Sequence, residues 1–147
     1  ALADLDSFDF VVMDTPPSLN IITINALTAS DEAVRPAQAD IFSLQGIAQL
    51  GQTIDAVKRY TNKNLKVLGI VLTKHNTRSI LSRDLQQVIT DTAMQLHTKV
   101  YTQYIREAVA VREAQAMKQD VFSYDPKSNA TQDYDALMKE IWKDINQ

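Results

Sequence analysis

No cysteine occurs among the 147 residues, which removes disulfides, thiolate metal ligands and cysteine nucleophiles together. The two histidines, His75 and His97, are too few for a histidine-rich metal cage. Glycine is nearly as scarce, at Gly46, Gly51 and Gly69 only. The single approach to a GxxxxGK[ST] phosphate loop is therefore GIAQLGQT, residues 46–53. That stretch places Gln52 where a lysine must neutralise phosphate charge, and it lies inside a helical pattern rather than between a strand and a helix, so it reads as coincidence. No apolar run approaches the ~18 residues of a membrane span, and the opening ALADLDSF has neither a basic nor an apolar signal region. The expectation is a cytoplasmic protein with no membrane partner.

With these classes set aside, a chain that is 45% hydrophobic and carries one tryptophan has enough apolar material for one core, and a single domain over 1–147 is expected. The net charge of −3 conceals an asymmetry. Residues 1–57 hold eight acids against Arg35 alone, whereas residues 58–83 hold Lys58, Arg59, Lys63, Lys66, Lys74, Arg78 and Arg83 and no acid. The middle is a basic island.

Hydrophobic periodicity divides the chain into alternating elements. Phe10 to Met13 are continuously apolar, as in a strand buried on both faces. A helix is predicted from Leu19 to Ala29, a short strand from Glu32 to Pro36, and a helix capped by Asp40 or Ser43 and running to Tyr60. LKVLGIVLTKHN, residues 65–76, repeats the pattern of a buried strand ending in polar residues. An amphipathic helix over Ser79–His97 follows, with His97 placed to favour its dipole, then a strand over Lys99–Ile105 and a helix over Glu107–Lys118. After a turn at YDPKSN comes a last helix over Ala130–Ile145, whose stripe of Tyr134, Leu137, Met138, Ile141, Trp142 and Ile145 reads as core. Strands alternating with helices imply right-handed parallel βαβ units: an α/β fold, mainly a parallel layered sheet with flanking helices.

The chemistry concentrates in DFVVMDTPPSLN, residues 9–20. Pro16 and Pro17 lack the N–H that a ladder needs, so pairing must stop near Asp14 and leave a carboxylate at a strand end, where ligands bind in open α/β sheets. FVVMD has the form of a Walker B strand, whose terminal aspartate holds Mg²⁺ beside bound phosphates. An aspartate in this position also serves simply as a helix N-cap, and the prolines as a plain rigid turn.

DFVVMDTPPSLNIITINALTASDEAVRPAQ, followed in order by LQGIAQLGQTIDAV, VLGIVLTKHNTRSILS and DVFSYDPKSNATQDYDAL, resembles the ParA-type DNA-partition ATPases of the deviant Walker A class that includes MinD. The resemblance implies a P-loop NTPase-like fold truncated at the N-terminus: a C-terminal portion lacking the two-lysine phosphate loop and the switch aspartate. It further implies ATP and Mg²⁺ as cofactors, with Asp14 as the catalytic, metal-side carboxylate and Thr15, Pro16 and Pro17 as the switch that senses the γ-phosphate. Thr73 and Lys74, in LTKHN, match the segment beside the adenine, although a solvated strand end fits them equally. The second base-contacting segment of the family is a Pro-Arg-Asn run; here YIREAVAVREAQ supplies Arg106, Glu107 and Ala108, and Arg106 is the one residue carried over.

The expected partners are non-specific DNA, a centromere-binding ParB-like protein and a second copy in a homodimer, with a nucleoid-associated location. Arg78 matches an arginine position that the family uses for DNA, and Arg83 follows one helical turn and a residue later; clustered bases release counterions from the phosphate backbone, though a solvated face has the same composition. Three rivals stand beside this reading. A MinD-like regulator would need a basic terminal helix, and here Asp133, Asp135, Glu140 and Asp144 offset Lys139 and Lys143. A receiver domain would need an acidic pair on a strand before Asp14. A non-catalytic interaction module would keep the fold alone.

Overall fold

A computed structural model of the chain describes residues 7–16, 18–77 and 79–146. Its elements follow in the order α1 (Ile21–Ala29), β1 (Glu32–Ala37), α2 (Ile41–Tyr60), β2 (Lys66–His75), α3 (Ile80–Gln95), β3 (Ile105–Arg106), α4 (Val109–Ala116), α5 (Val121–Tyr124) and α6 (Asn129–Ile145). Short polar side chains start the helices by accepting first-turn N–H groups that have no helical partner: Asn20 for α1, Asp40 for α2, Ser79 for α3 and Ser128 for α6. At the end of α3, His97 takes a left-handed φ of 53°, so that Thr98 N–H reaches the Ala93 carbonyl at 2.9 Å and His97 N–H that of Met94 at 3.1 Å. Lys118 closes α4 in the same way.

The three strands form a parallel sheet in the order β1-β2-β3, with Glu32 opposite Lys66 and Thr73 opposite Ile105. Side chains of β2 alternate between two cores. Ile70 and Leu72 join Ala37, Ile47, Ile89 and Ala93 beneath α2 and α3, while Val71 joins Tyr101, Ile105, Leu137 and Ile141 beneath α6. A third cluster, of Ile54, Val57 and Leu65 with Ile24 and Leu27 against it, binds α1 to α2.

Three expectations change. The strand expected over Lys99–Ile105 is reduced to a bridge at Val100 opposite Ile70 and the two residues of β3. The cause is a competing acceptor: Thr102 N–H and Gln103 N–H turn to the Glu140 carboxylate on α6 instead of to β2. Phe10 to Met13 form no strand and are exposed, Val12 at 92%. A continuous apolar run becomes a buried strand only with neighbours at its edges and layers on both faces; here Phe10 instead meets Trp142 of α6, ring centroids 5.4 Å apart. The stripe on α6 is split for a related reason: Leu137 and Ile141 are buried against β2 and β3, whereas Met138 and Trp142, on the shoulder of the helix, are half exposed.

Candidate functional site

In a parallel sheet every strand ends at the same edge, so Ala37, His75 and Arg106 mark one rim of the molecule, where α/β proteins place ligands. Thr73 is half-buried and donates its hydroxyl to the Ala37 carbonyl at 3.3 Å, tying the tip of β2 to that of β1. Lys74 is exposed and holds a φ of 50°, and the ladder to β3 shifts register between Thr73 and His75. A left-handed lysine inside a bulge is a strained backbone, of the kind that re-aims side chains beside functional sites.

Arg106 is paired with a carboxylate. Its Nε and Nη2 donate to the two carboxylate oxygens of Asp133 at 2.7 and 2.9 Å, and its backbone N–H adds a third bond at 3.1 Å. The hydrogen bond to Asp133 pushes the guanidinium pKa further up. Asp133 is 3% exposed and also accepts from Gln103 Nε2. Its role is visible in the sequence only through spacing: Asp133 lies four and eight residues before Leu137 and Ile141, on their buried face.

Asp14 is exposed and Thr15 half-buried. Pro16 and Ser18 are fastened to α1, because the Thr23 hydroxyl donates to the Ser18 carbonyl at 2.8 Å and reaches that of Pro16 at 3.5 Å. Pro17 lies outside the described residues. Among those described, no ion pair or hydrogen bond joins Asp14 to Thr73, Lys74 or Arg106, and no group of three or more His, Asp or Glu could enclose a metal.

The described residues of the basic island do not form one face. Lys63 and Lys66 flank the start of β2, with Lys66 4.0 Å from Glu32, and Lys58 and Arg59 occupy the last turn of α2, where cations suit the helix dipole. Lys74 lies at the other end of the strand, eight residues on, or about 26 Å at the usual rise. Arg83, exposed in the first turns of α3, belongs to that second end; Arg78 lies outside the described residues. Arg35, which the sequence shows only as the lone base of the first third, donates through Nη2 to the Gly46 and Ile47 carbonyls of α2, and burial pushes its pKa down to about 10. No described helix is long and apolar enough to cross a membrane.

A family model described as an AAA domain matches residues 3–67. The chain is 36% identical over 135 residues to the sporulation initiation inhibitor protein Soj of Bacillus subtilis, covering 92% of this chain and 52% of that protein. It is 38% identical over 134 residues to the chromosome partitioning protein ParA of Caulobacter vibrioides, covering 91% and 49%. It thus spans about half the length of the curated relatives it matches. Among solved structures, cobyrinic acid a,c-diamide synthase from Mycobacterium smegmatis, with bound ATP analog and magnesium, superposes with a TM-score of 0.58 at 40% identity, covering 62% of this chain and 38% of that one. The parallel sheet with flanking helices and this likeness together give an α/β, P-loop NTPase-like fold.

Proposed function

From the homology of this chain to the ParA and Soj partition proteins, we propose that it is the C-terminal portion of an ATPase that partitions plasmid or chromosomal DNA through ATP-dependent dimerisation and sequence-independent DNA binding. The observation that carries this reading is the 36–38% identity over more than nine-tenths of the chain. In the complete protein Asp14 stands on the metal side of the phosphates, and the Thr15–Pro17 turn senses the γ-phosphate. Bound Mg²⁺ would neutralise developing charge on the phosphates. A single exposed carboxylate suits that ion, which keeps several waters and takes one or two protein carboxylates beside substrate oxygens. Thr73 and Lys74 lie at the tip expected beside the adenine, and Arg78 and Arg83 supply the DNA contact. Arg106, with Asp133, acts here as the support that holds the neighbouring loop.

The likeness to the diamide synthase supports a second reading, ATP-dependent amide synthesis on a carboxylated substrate. One experiment separates the two: ATP turnover by the complete gene product with DNA and a ParB-like partner, or with glutamine and a corrin carboxylate. Stimulation by DNA and partner, lost in Asp14→Ala with the circular dichroism spectrum unchanged, is the expected outcome. Turnover that ignores DNA and responds to the amide donor would replace the partition reading.

A further inference from the structure

His75 closes β2 and is only 4% exposed, yet neither ring nitrogen has a hydrogen-bond partner among the described residues. Buried polar groups are paired in the great majority of cases, so an imidazole orphaned at both nitrogens needs a reason. The backbone supplies part of it. Alternation along β2 would put His75 on the same face as Val71, beneath α6. The left-handed Lys74 and the register shift beside it turn the ring to the opposite side, where it meets the edge of Tyr104 with centroids 5.0 Å apart and planes at 70°. Tyr104 packs on the core beneath α2 and α3.

Among the described residues, no charged group figures among the influences on the ring. From α3 the uncharged Gln86 faces it, close enough to favour its charged form, though no formed hydrogen bond joins them. Tyr104 is the titratable group in ring contact. On β3, Arg106 stands opposite in register but is committed to Asp133. Lys74, next in the chain, is exposed, and Ala37, Leu44 and Ile47 of the adjoining core are apolar.

We propose that His75 is a proton-sensitive fastening between the tip of β2 and the segment before β3: neutral, it lets the strand tip close on Tyr104; protonated, it leaves the core and loosens residues 73–77. His75 itself contacts neither nucleotide nor DNA in the proposed function. Burial outweighs Gln86 and holds the folded ring below its ordinary pKa of 6.5. The fastening is therefore fully present above about pH 6.5, the unfolded value, and is lost as pH falls towards the lower folded value. One extra proton bound by the opened state weakens the folding equilibrium by up to tenfold per pH unit in that window.

Two measurements on the chain test this. Carbon-detected NMR of its two imidazoles, assigned with His97→Gln, should show the His75 signal titrating below the ordinary histidine range; a signal titrating at or above that range overturns the proposal. Urea unfolding of wild type and His75→Phe, which keeps an aromatic ring against Tyr104, is then compared at pH 7.5 and 5.5. Wild type should lose more than His75→Phe on acidification, with amide exchange at 73–77 accelerating beyond its intrinsic pH dependence. Equal acid losses in the two proteins would show that the ring carries no such role, and if His75→Phe does not fold, the NMR titration decides alone.

Discussion

Arg106 and Asp133 are joined through three hydrogen bonds, one of them from the arginine's own backbone N–H, so a single buried carboxylate fixes both the end of β3 and the side chain that leaves it. The guanidinium keeps access to water at 43% exposure while its partner keeps almost none, at 3%. Losing the two partners should therefore have unequal consequences.

Asp133→Ala leaves Arg106 free to hydrate its charge but strands the backbone N–H and the side chain of Gln103. A stability loss of about 1–3 kcal/mol is expected, the range for removing one partner of charge-assisted hydrogen bonds. Arg106→Ala leaves the buried carboxylate without its cation and should cost at least as much. Urea midpoints measure both; a negligible effect of Asp133→Ala would show the clamp to be a surface pair in energetic terms.

Gly69 of β2 and Gly46 of α2 should respond with opposite signs. A Cβ at Gly69 would lie 2.6 Å from Tyr101 Cε2 and 3.2 Å from the Lys99 carbonyl oxygen, and that ring is held by its hydroxyl on Asp144 at 2.7 Å. Gly69→Ala should therefore destabilise by about 1–3 kcal/mol through overpacking. At Gly46 a Cβ meets nothing within 4 Å, on an exposed turn of α2, so Gly46→Ala should stabilise by about 0.5–1 kcal/mol through the lower entropy of the unfolded chain. Thermal melts of the two variants give the comparison, and like signs would contradict it.

Acid stability should depend on Asp144. Its carboxylate accepts from Lys99 Nζ and from the Tyr101 hydroxyl, each at 2.7 Å, and these contacts hold its pKa below the usual range. Burial and the same carboxylate push the Tyr101 phenol up. A depressed folded pKa contributes stability that is present above the unfolded value of about 3.9 and disappears as pH falls through the folded value. Asp144→Asn should be less stable than wild type at pH 7 and lose less between pH 5 and 2. Parallel curves for the two proteins would remove Asp144 from the acid response.

The divided basic island yields a prediction for DNA. In the ATP-bound dimer that the proposed function calls for, Arg78→Ala and Arg83→Ala should each lower affinity equally on unrelated sequences and flatten the plot of log affinity against log salt by about one unit per lost phosphate contact. Lys63→Ala, at the opposite end of β2, should leave that slope unchanged. An equal slope change from Lys63 would mean that DNA crosses both ends of the strand. No change from either arginine would direct the search to the other bases of the rim.

Much of the fold is already written in local chemistry. The caps at Asp40, Ser79 and Ser128 and the apolar run of β2 act within a few residues of themselves, and α2, α3, α6 and β2 stand where periodicity puts them, within a residue or two. The turn expected after Asp14 rests on Pro17, which lies outside the described residues. Tertiary structure decided what depends on distant partners. Glu140 took the backbone donors that would have extended β3; Asp133 paired with Arg106 at the strand end; the bulge at Lys74 moved His75 to the other face; and the length of β2 separated charges that are neighbours in sequence. Whether Phe10 to Met13 is a strand was a tertiary question as well, since apolar residues specify burial but cannot supply the neighbouring strand that burial requires.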